Sequence, residues 1–324
     1  MIDHPLLTAN AEEMSRADWT VAMKDLGAKH GFYRRLGEEH TALSVGTSGT
    51  LLVTFENLDH VYDNVPNRLP WGFRFVTERG WSILGLMAHA WTWYRDEDVH
   101  DFFDELRDTG YFDQFERVVF YGASMGGYAA TAFSAACPGA TVISISPQAT
   151  LSRDVASWET RYKRAWIRDY SSRYGFGPDM IKSAKHAYLF YDPTAQLDAM
   201  HMSLFGGENV TKFKCRFMGH RIASAMQQMG ILAPVIEGCI EGTLNTAEFY
   251  DLMRARRRFP RYLKELLAQL DKRERPYLTA MLCEHYLSNN RGPAFRKALN
   301  NAGKELRARN QRLPSERTLK YDRR

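Results

Sequence analysis

From Trp81 onward the chain alternates between two kinds of segment, and that alternation limits its folds more than any other feature. "WSILGLM", "RVVFYG", "TVISISP" and "AYLFYDP" are short runs, apolar almost throughout and rich in β-branched and aromatic residues. Runs of this length and composition are strands covered on both faces. Between the first two lies "DEDVHDFFDELRDTG", an acid-started helix pattern that closes on Gly110; behind the second lies "MGGYAATAFSAACPG", a helix pattern built from small residues. Strands separated by helices run parallel, with the helices packed on the two sheet faces. "KFKCRF" adds a weaker, alternating strand. Upstream, "GFYRRLG", "TALSVG" and "TLLVTFEN" are joined by "GEEH" and "GTSG", links too short for crossover helices, so an antiparallel meander is expected there. The total is eight strands, the first few antiparallel and the rest parallel. Ahead of them Ser15 and Asp18 mark a helix start and Gly27 its stop.

A chain of 324 residues can hold one large α/β domain and an appendage, or two ordinary domains. The charge divides in the same way. From Leu244 to the end there are 20 Lys and Arg against 9 Asp and Glu, a net of +11, whereas the remainder carries −6. We therefore expect an α/β domain over 1–243, with a helical insertion over 148–185, and a basic all-helical extension over 244–324. In that extension Leu263, Leu266, Leu267 and Leu270 form a helix stripe, and Pro276 and Pro293 mark further helix starts. "RARRRFPRYLKELL" is basic and carries two aromatics, but no recognisable nucleic-acid motif accompanies it, so nucleic acid is not the expected partner. Contact with an acidic surface, in the same chain or in a second copy as a homo-oligomer, is the more ordinary role. No run approaches the roughly 18 apolar residues of a membrane span, and the N-terminus lacks the basic start of a signal peptide. The four cysteines are far apart, with no C-x-x-C pair, which fits reduced thiols in a cytoplasmic protein. No metal or cofactor motif is present, and none is expected as a requirement.

The point where "RVVFY" gives way to the small-residue helix reads Gly-Ala-Ser-Met-Gly-Gly, residues 122–127. A glycine-rich β–α turn with an incidental serine is the plain reading. The other is a nucleophile elbow: glycines let strand and helix backbones approach while Ser124 is held in a strained conformation. The helix N-terminus would then aim the Met125 N–H at charge developing beside the serine. A serine hydroxyl needs a base, and the base an orienting acid. Asp192 follows the strand "AYLFY", and His220 follows "KFKCRF". The order Ser124, Asp192, His220 suits loops at the carboxyl ends of parallel strands. An aspartate after a strand is also a common turn cap. His201 lies in a helix pattern, His186 precedes its strand, Asp154 lies well past its strand, and His285 belongs to the basic extension.

With eight strands, an elbow after the fifth, an acid after the seventh and a histidine after the eighth, the chain resembles the α/β-hydrolases over about residues 28–240. The "GASMGGY" stretch, with its doubled glycine, is also similar to bacterial hydrolase-fold proteins linked to acyl modification of cell-surface glycans. The resemblance implies serine-dependent acyl transfer through a covalent ester, usually hydrolysis of an ester, thioester or amide. A hydrolase of a small-molecule or glycan acyl ester or thioester is therefore expected, or an enzyme that transfers the acyl group to another acceptor. It also places a second oxyanion donor after the third strand, where the chain has Glu56 and Asn57 and no His-Gly or Gly-Gly pair. His89, Trp91, Trp93 and Tyr94, after the fourth strand, either line a subsite or pack the next helix. Arg153, Arg161, Lys163, Arg164, Arg168 and Arg173 make the insertion basic, so that as a lid it would favour an anionic substrate; a solvated helix face is the plainer reading. A non-catalytic hydrolase-fold protein, binding a partner through its cleft or basic extension, is the alternative to an enzyme.

Overall fold

The computed structural model describes Leu6 and residues 13–46, 49–58, 61–62 and 68–318. Ser15 caps the first helix, α1 (Arg16–His30), its hydroxyl oxygen accepting the Asp18 N–H. The helix does not stop at Gly27 as expected but runs on to Gly31. Gly27 serves a different end: a Cβ there would stand 2.7 Å from the Tyr33 backbone nitrogen, so its absence lets α1 lie against the following strand.

That strand, β1 (Gly31–Leu36), pairs antiparallel with β2 (His40–Val45). The expected meander ends there. β3 (Thr50–Asn57) does not pair with β2, because β4 (Ser82–Ala88) lies between them, antiparallel to β2 and parallel to β3. A short link sets strand direction but not adjacency. Leu51, Leu52 and Val53 of β3 are fully buried, and a strand with apolar residues on both faces is best accommodated between two neighbours. Its second neighbour is β5 (Arg117–Ala123), also parallel. β6 (Thr141–Ile145), β7 (His186–Tyr191) and β8 (Val210–Lys214) continue the parallel run, giving one sheet in the order β1-β2-β4-β3-β5-β6-β7-β8.

Helices cover both faces, and β4 shows how its side chains divide between them. Leu84, Leu86 and Ala88 pack with Phe102 and Phe103 of α3 (Glu97–Asp108) and Ala129 and Ala130 of α4 (Met125–Phe133). Ile83 and Met87 pack with Trp19, Met23 and Leu26 of α1 and with Phe73 and Val76 of α2 (Phe73–Arg79). Alternate residues face opposite ways, as a pleated strand requires.

The stretch 148–185 is not the helical insertion expected. It holds only single turns, α5 (Arg153–Ala156) and α6 (Gly177–Met180), with 3-10 turns at Lys163–Ile167 and Ile181–Ser183. Individual side chains tie down the irregular backbone. Arg95 donates to the Asp169 and Arg173 carbonyls, and the Tyr128 hydroxyl donates to the Tyr174 carbonyl. Such bonds let buried backbone do without regular secondary structure.

Behind β7 and β8 come α7 (Gln196–Leu204), α8 (Ile222–Gln228) and α9 (Leu232–Glu241). The chain forms two compact units, dividing between Phe249 and Tyr250 within α10 (Thr246–Leu252). In the second unit α11 (Pro260–Lys272), α12 (Pro276–Asn289) and α13 (Pro293–Ala308) each begin at a proline. Leu263, Cys283 and Phe295 are buried among them, with Tyr286 stacked on Phe295 at 3.8 Å. Among the described residues, no helix is long and apolar enough to cross a membrane.

Candidate active site

Ser124 sits between β5 and α4 with φ 53° and ψ −118°, a conformation L-residues rarely adopt. The turn is tight enough to forbid side chains on two neighbours. A Cβ on Gly122 would lie 2.0 Å from the Gly126 carbonyl oxygen, and one on Gly126 would lie 2.2 Å from the Phe55 carbonyl oxygen. The Ser124 backbone N–H donates to the Ile145 carbonyl at 2.8 Å, tying the elbow to the end of β6. Met125 opens α4, so its N–H lacks an intrahelical acceptor and points beyond the helix start.

His220 lies in the turn after β8, behind Gly219, whose φ of +65° suits a residue without Cβ. Its Nε2 is 2.8 Å from Ser124 Oγ, and its Nδ1 is 2.8 Å from a carboxylate oxygen. A carboxylate only accepts, so Nδ1 carries the hydrogen and Nε2 offers its lone pair to the serine hydroxyl. Serine and histidine are half-buried, while the carboxylate is 1 % exposed.

The carboxylate facing His220 belongs to Asp198, in the first turn of α7, and not to the expected Asp192. Asp192 directly follows β7 and is saturated elsewhere. Its Oδ1 accepts the Thr194 N–H and hydroxyl, at 2.8 and 2.6 Å, and its Oδ2 accepts the Gly219 N–H at 2.7 Å. It caps a turn and tethers the loop that carries the histidine. The helical position of Asp198 gave no strand-end signal. A usable clue was there nonetheless: Asp198 and His201 lie three apart in an otherwise apolar "LDAMHM" helix, and both are buried.

Behind Asp198 runs a line of charged and polar groups. Arg161 Nη1 donates to Asp198 Oδ1 at 2.7 Å, while its Nε and Nη2 fork onto Glu159 at 3.0 and 2.6 Å. Glu159 is fully buried and also accepts from His201 Nε2 at 3.1 Å. His201 Nδ1 accepts the Ala149 N–H, which fixes the tautomer with hydrogen on Nε2. Burial pushes the His201 pKa down, consistent with a neutral ring. Burial alone would raise the Glu159 pKa, but bonds from His201 and Arg161 outweigh it and hold it at about 2. Asp198 follows the same pattern: bonds and charges from His220 and Arg161 overcome burial and lower its pKa. The sequence did not link the two halves of this chain, because Glu159 and Arg161 lie some forty residues before Asp198 and His201.

Tyr162 brings the insertion to His220 itself, with its hydroxyl oxygen 3.2 Å from Nε2. Its ring packs on Trp93 at a centroid distance of 4.8 Å, and the Arg161 guanidinium lies 5.1 Å from its centre. Burial raises its pKa, keeping the phenol neutral.

The other expected site residues divide sharply. Glu56 turns its carboxylate onto the Trp71 N–H at 2.9 Å, away from the elbow, and burial pushes its pKa up to about 7. Asn57 Nδ2 reaches the Ala90 carbonyl at 3.5 Å. Tyr94 is fully buried and donates to the Glu56 carbonyl at 2.8 Å, so it is a core residue and not a subsite. Trp93, 2 % exposed, acts through Tyr162. Trp91 is exposed, and His89 pairs with Thr41 at 2.9 Å. Arg168 does not face a substrate: it grips Glu39 through two bonds of 2.6 and 2.7 Å. Arg173 pairs with Glu97, Asp101 and Asp104, and Arg153 lies over Trp166. Of the six basic residues in the insertion, Arg161, Arg168 and Arg173 pair with carboxylates. Half of its positive charge is therefore matched within the fold, which weakens the case for an anion-selecting lid.

Eight strands in this order, with a strained serine behind β5 and a histidine behind β8, make an α/β-hydrolase fold. No family model matches the sequence, and no curated protein does. Solved structures are similar at low identity. MPT51 of Mycobacterium tuberculosis is 15% identical, with 64% of this chain and 98% of that one covered and a TM-score of 0.42. The capsule O-acetyltransferase of Neisseria meningitidis serogroup A is 12% identical, with 66% and 99% covered and a TM-score of 0.42. EstE1, a carboxylesterase from a metagenomic library, is 13% identical, with 74% and 99% covered and a TM-score of 0.39.

Proposed function

We propose that the protein is a serine-dependent acyl-transfer enzyme, taking an acyl ester or thioester as donor and forming an acyl-enzyme on Ser124. The observation that carries this reading is the unbroken series from Ser124 Oγ to His220 Nε2, and from His220 Nδ1 to the buried Asp198, at 2.8 Å each. As Ser124 Oγ attacks the acyl carbon, its proton passes to Nε2. Asp198 holds the ring in the required tautomer and stabilises the imidazolium. The Met125 N–H and the segment at Glu56–Asn57 receive the oxyanion, with the Glu56 carboxylate directed elsewhere. Nε2–H then protonates the departing oxygen or sulfur, leaving the acyl group on Ser124. An acceptor next gives its proton to Nε2 while attacking that carbon, and collapse returns the proton to Ser124.

A fluorophosphonate probe tests the reading directly. Wild type should be labelled on Ser124, and Ser124→Ala should take no label while keeping the wild-type circular dichroism spectrum. Folded wild type that resists the probe would instead favour a protein that binds through its cleft without catalysis.

A further inference from the structure

The acyl-enzyme must be released by a group that gives its proton to His220 Nε2, and that group must come within roughly 2.8 Å of the nitrogen. In this structure the Tyr162 hydroxyl already stands 3.2 Å from Nε2. Two oxygens cannot share that position. Water could deacylate Ser124 only by displacing the phenol.

The phenol is not loosely placed. Its ring is held against Trp93, whose indole N–H donates to the buried Gln148 side chain at 3.3 Å, and beneath the Arg161 guanidinium. Trp93 itself is fixed by a left-handed backbone at φ 50°. Arg161 is in turn anchored by Glu159 and Asp198. Displacing Tyr162 therefore disturbs several contacts. Water brings no binding energy to offset that disturbance, whereas a larger acceptor with contacts of its own does.

We infer that Tyr162 occupies the incoming nucleophile's position on His220, so that the acyl-enzyme discharges to a hydroxyl acceptor larger than water and the protein acts as an acyltransferase. This rests on the acyl-enzyme reading above. The balance is that of transfer: the acceptor O–H bond breaks, its proton goes to Nε2, its oxygen bonds the acyl carbon, and the Ser124 ester opens to recover the hydroxyl with the Nε2 proton.

The test is pre-steady-state turnover of p-nitrophenyl acetate, with and without glycerol, by wild type and Tyr162→Phe. Wild type should release one p-nitrophenol per active site in a burst. Slow turnover should follow, accelerated by glycerol with acetylated glycerol as product. Tyr162→Phe, leaving a water-sized space at Nε2, should keep the burst amplitude, hydrolyse the acyl-enzyme at least about tenfold faster, and transfer a smaller share to glycerol. The burst amplitude also reports that the variant is folded. An intact burst with unchanged hydrolysis and transfer in the variant overturns the role of Tyr162 and leaves the acyl-enzyme standing. Equal slowing of burst and turnover does the same, assigning Tyr162 to acylation instead. A wild type with neither burst nor fluorophosphonate label overturns both proposals.

Discussion

The elbow and the insertion meet at the same imidazole, yet they are built by opposite means. The elbow is a backbone device: Gly122 and Gly126 have no room for a Cβ, and Ser124 is aimed by its own φ and ψ. The insertion has almost no regular structure, and its two key residues are aimed by side-chain partners, Glu159 and Asp198 for Arg161, Trp93 for Tyr162. Precision in a site can thus come from main-chain geometry or from a saturated polar network, and the two should fail differently when cut.

The sharpest cut removes the acid. Asp198→Asn should lower the rate of p-nitrophenyl acetate turnover by about 10³–10⁴-fold with the fold intact, since the amide presents a donor to Nδ1 and disfavours the working tautomer. Asp192→Asn, which leaves the Asp198–His220 pair in place, should cost no more than about tenfold, by loosening the Gly219 tether. Equal losses in the two variants would remove the distinction drawn between these carboxylates.

Next comes the backbone device. Gly126→Ala sets a Cβ against a carbonyl oxygen that cannot swing aside, and should destabilise the fold by about 3 kcal/mol in urea unfolding. Neutral behaviour would mean that the elbow has slack.

The smallest effect tests the network. Arg161→Met should cost about 2 kcal/mol at pH 7, because Glu159 keeps its burial and loses its cation. The pH dependence has a definite sign. With a folded pKa of about 2 against 4.5, Glu159 contributes stability that is complete above pH 4.5 and lost as the pH falls towards 2. In Arg161→Met that acid limb should flatten, so the urea midpoints at pH 7 and pH 3 draw together. A limb as steep as wild type would show that Arg161 does not hold the charge.

The same contrast explains which parts of the molecule could be read in advance. Ser124 and the turn around it announce themselves, because backbone constraints select residue types locally: glycine where a Cβ collides, small residues where α4 crosses the sheet. His220 was marked by its place behind the last strand. Asp198 was hidden because the competing Asp192 stood where a strand-end rule looks, while the true partner came from the following helix. The intercalation of β4 between β2 and β3 was hidden for a similar reason, since link length carries no information about which strand lies alongside. Arg161 was read only among the insertion's basic residues, on a lid or a solvated face, and Tyr162 was not singled out; Asp198 and Trp93, remote in sequence, help give them their positions.

The Asp192 tether has a consequence for how the site ages under stress. Because the turn bearing His220 hangs by an amide from the residue that follows an interior strand, the imidazole has no independent way to drift off. Heat should silence it only when the rim of the sheet itself comes apart, and slow hydrogen exchange at the Gly219 amide would be the visible mark of that shared fate.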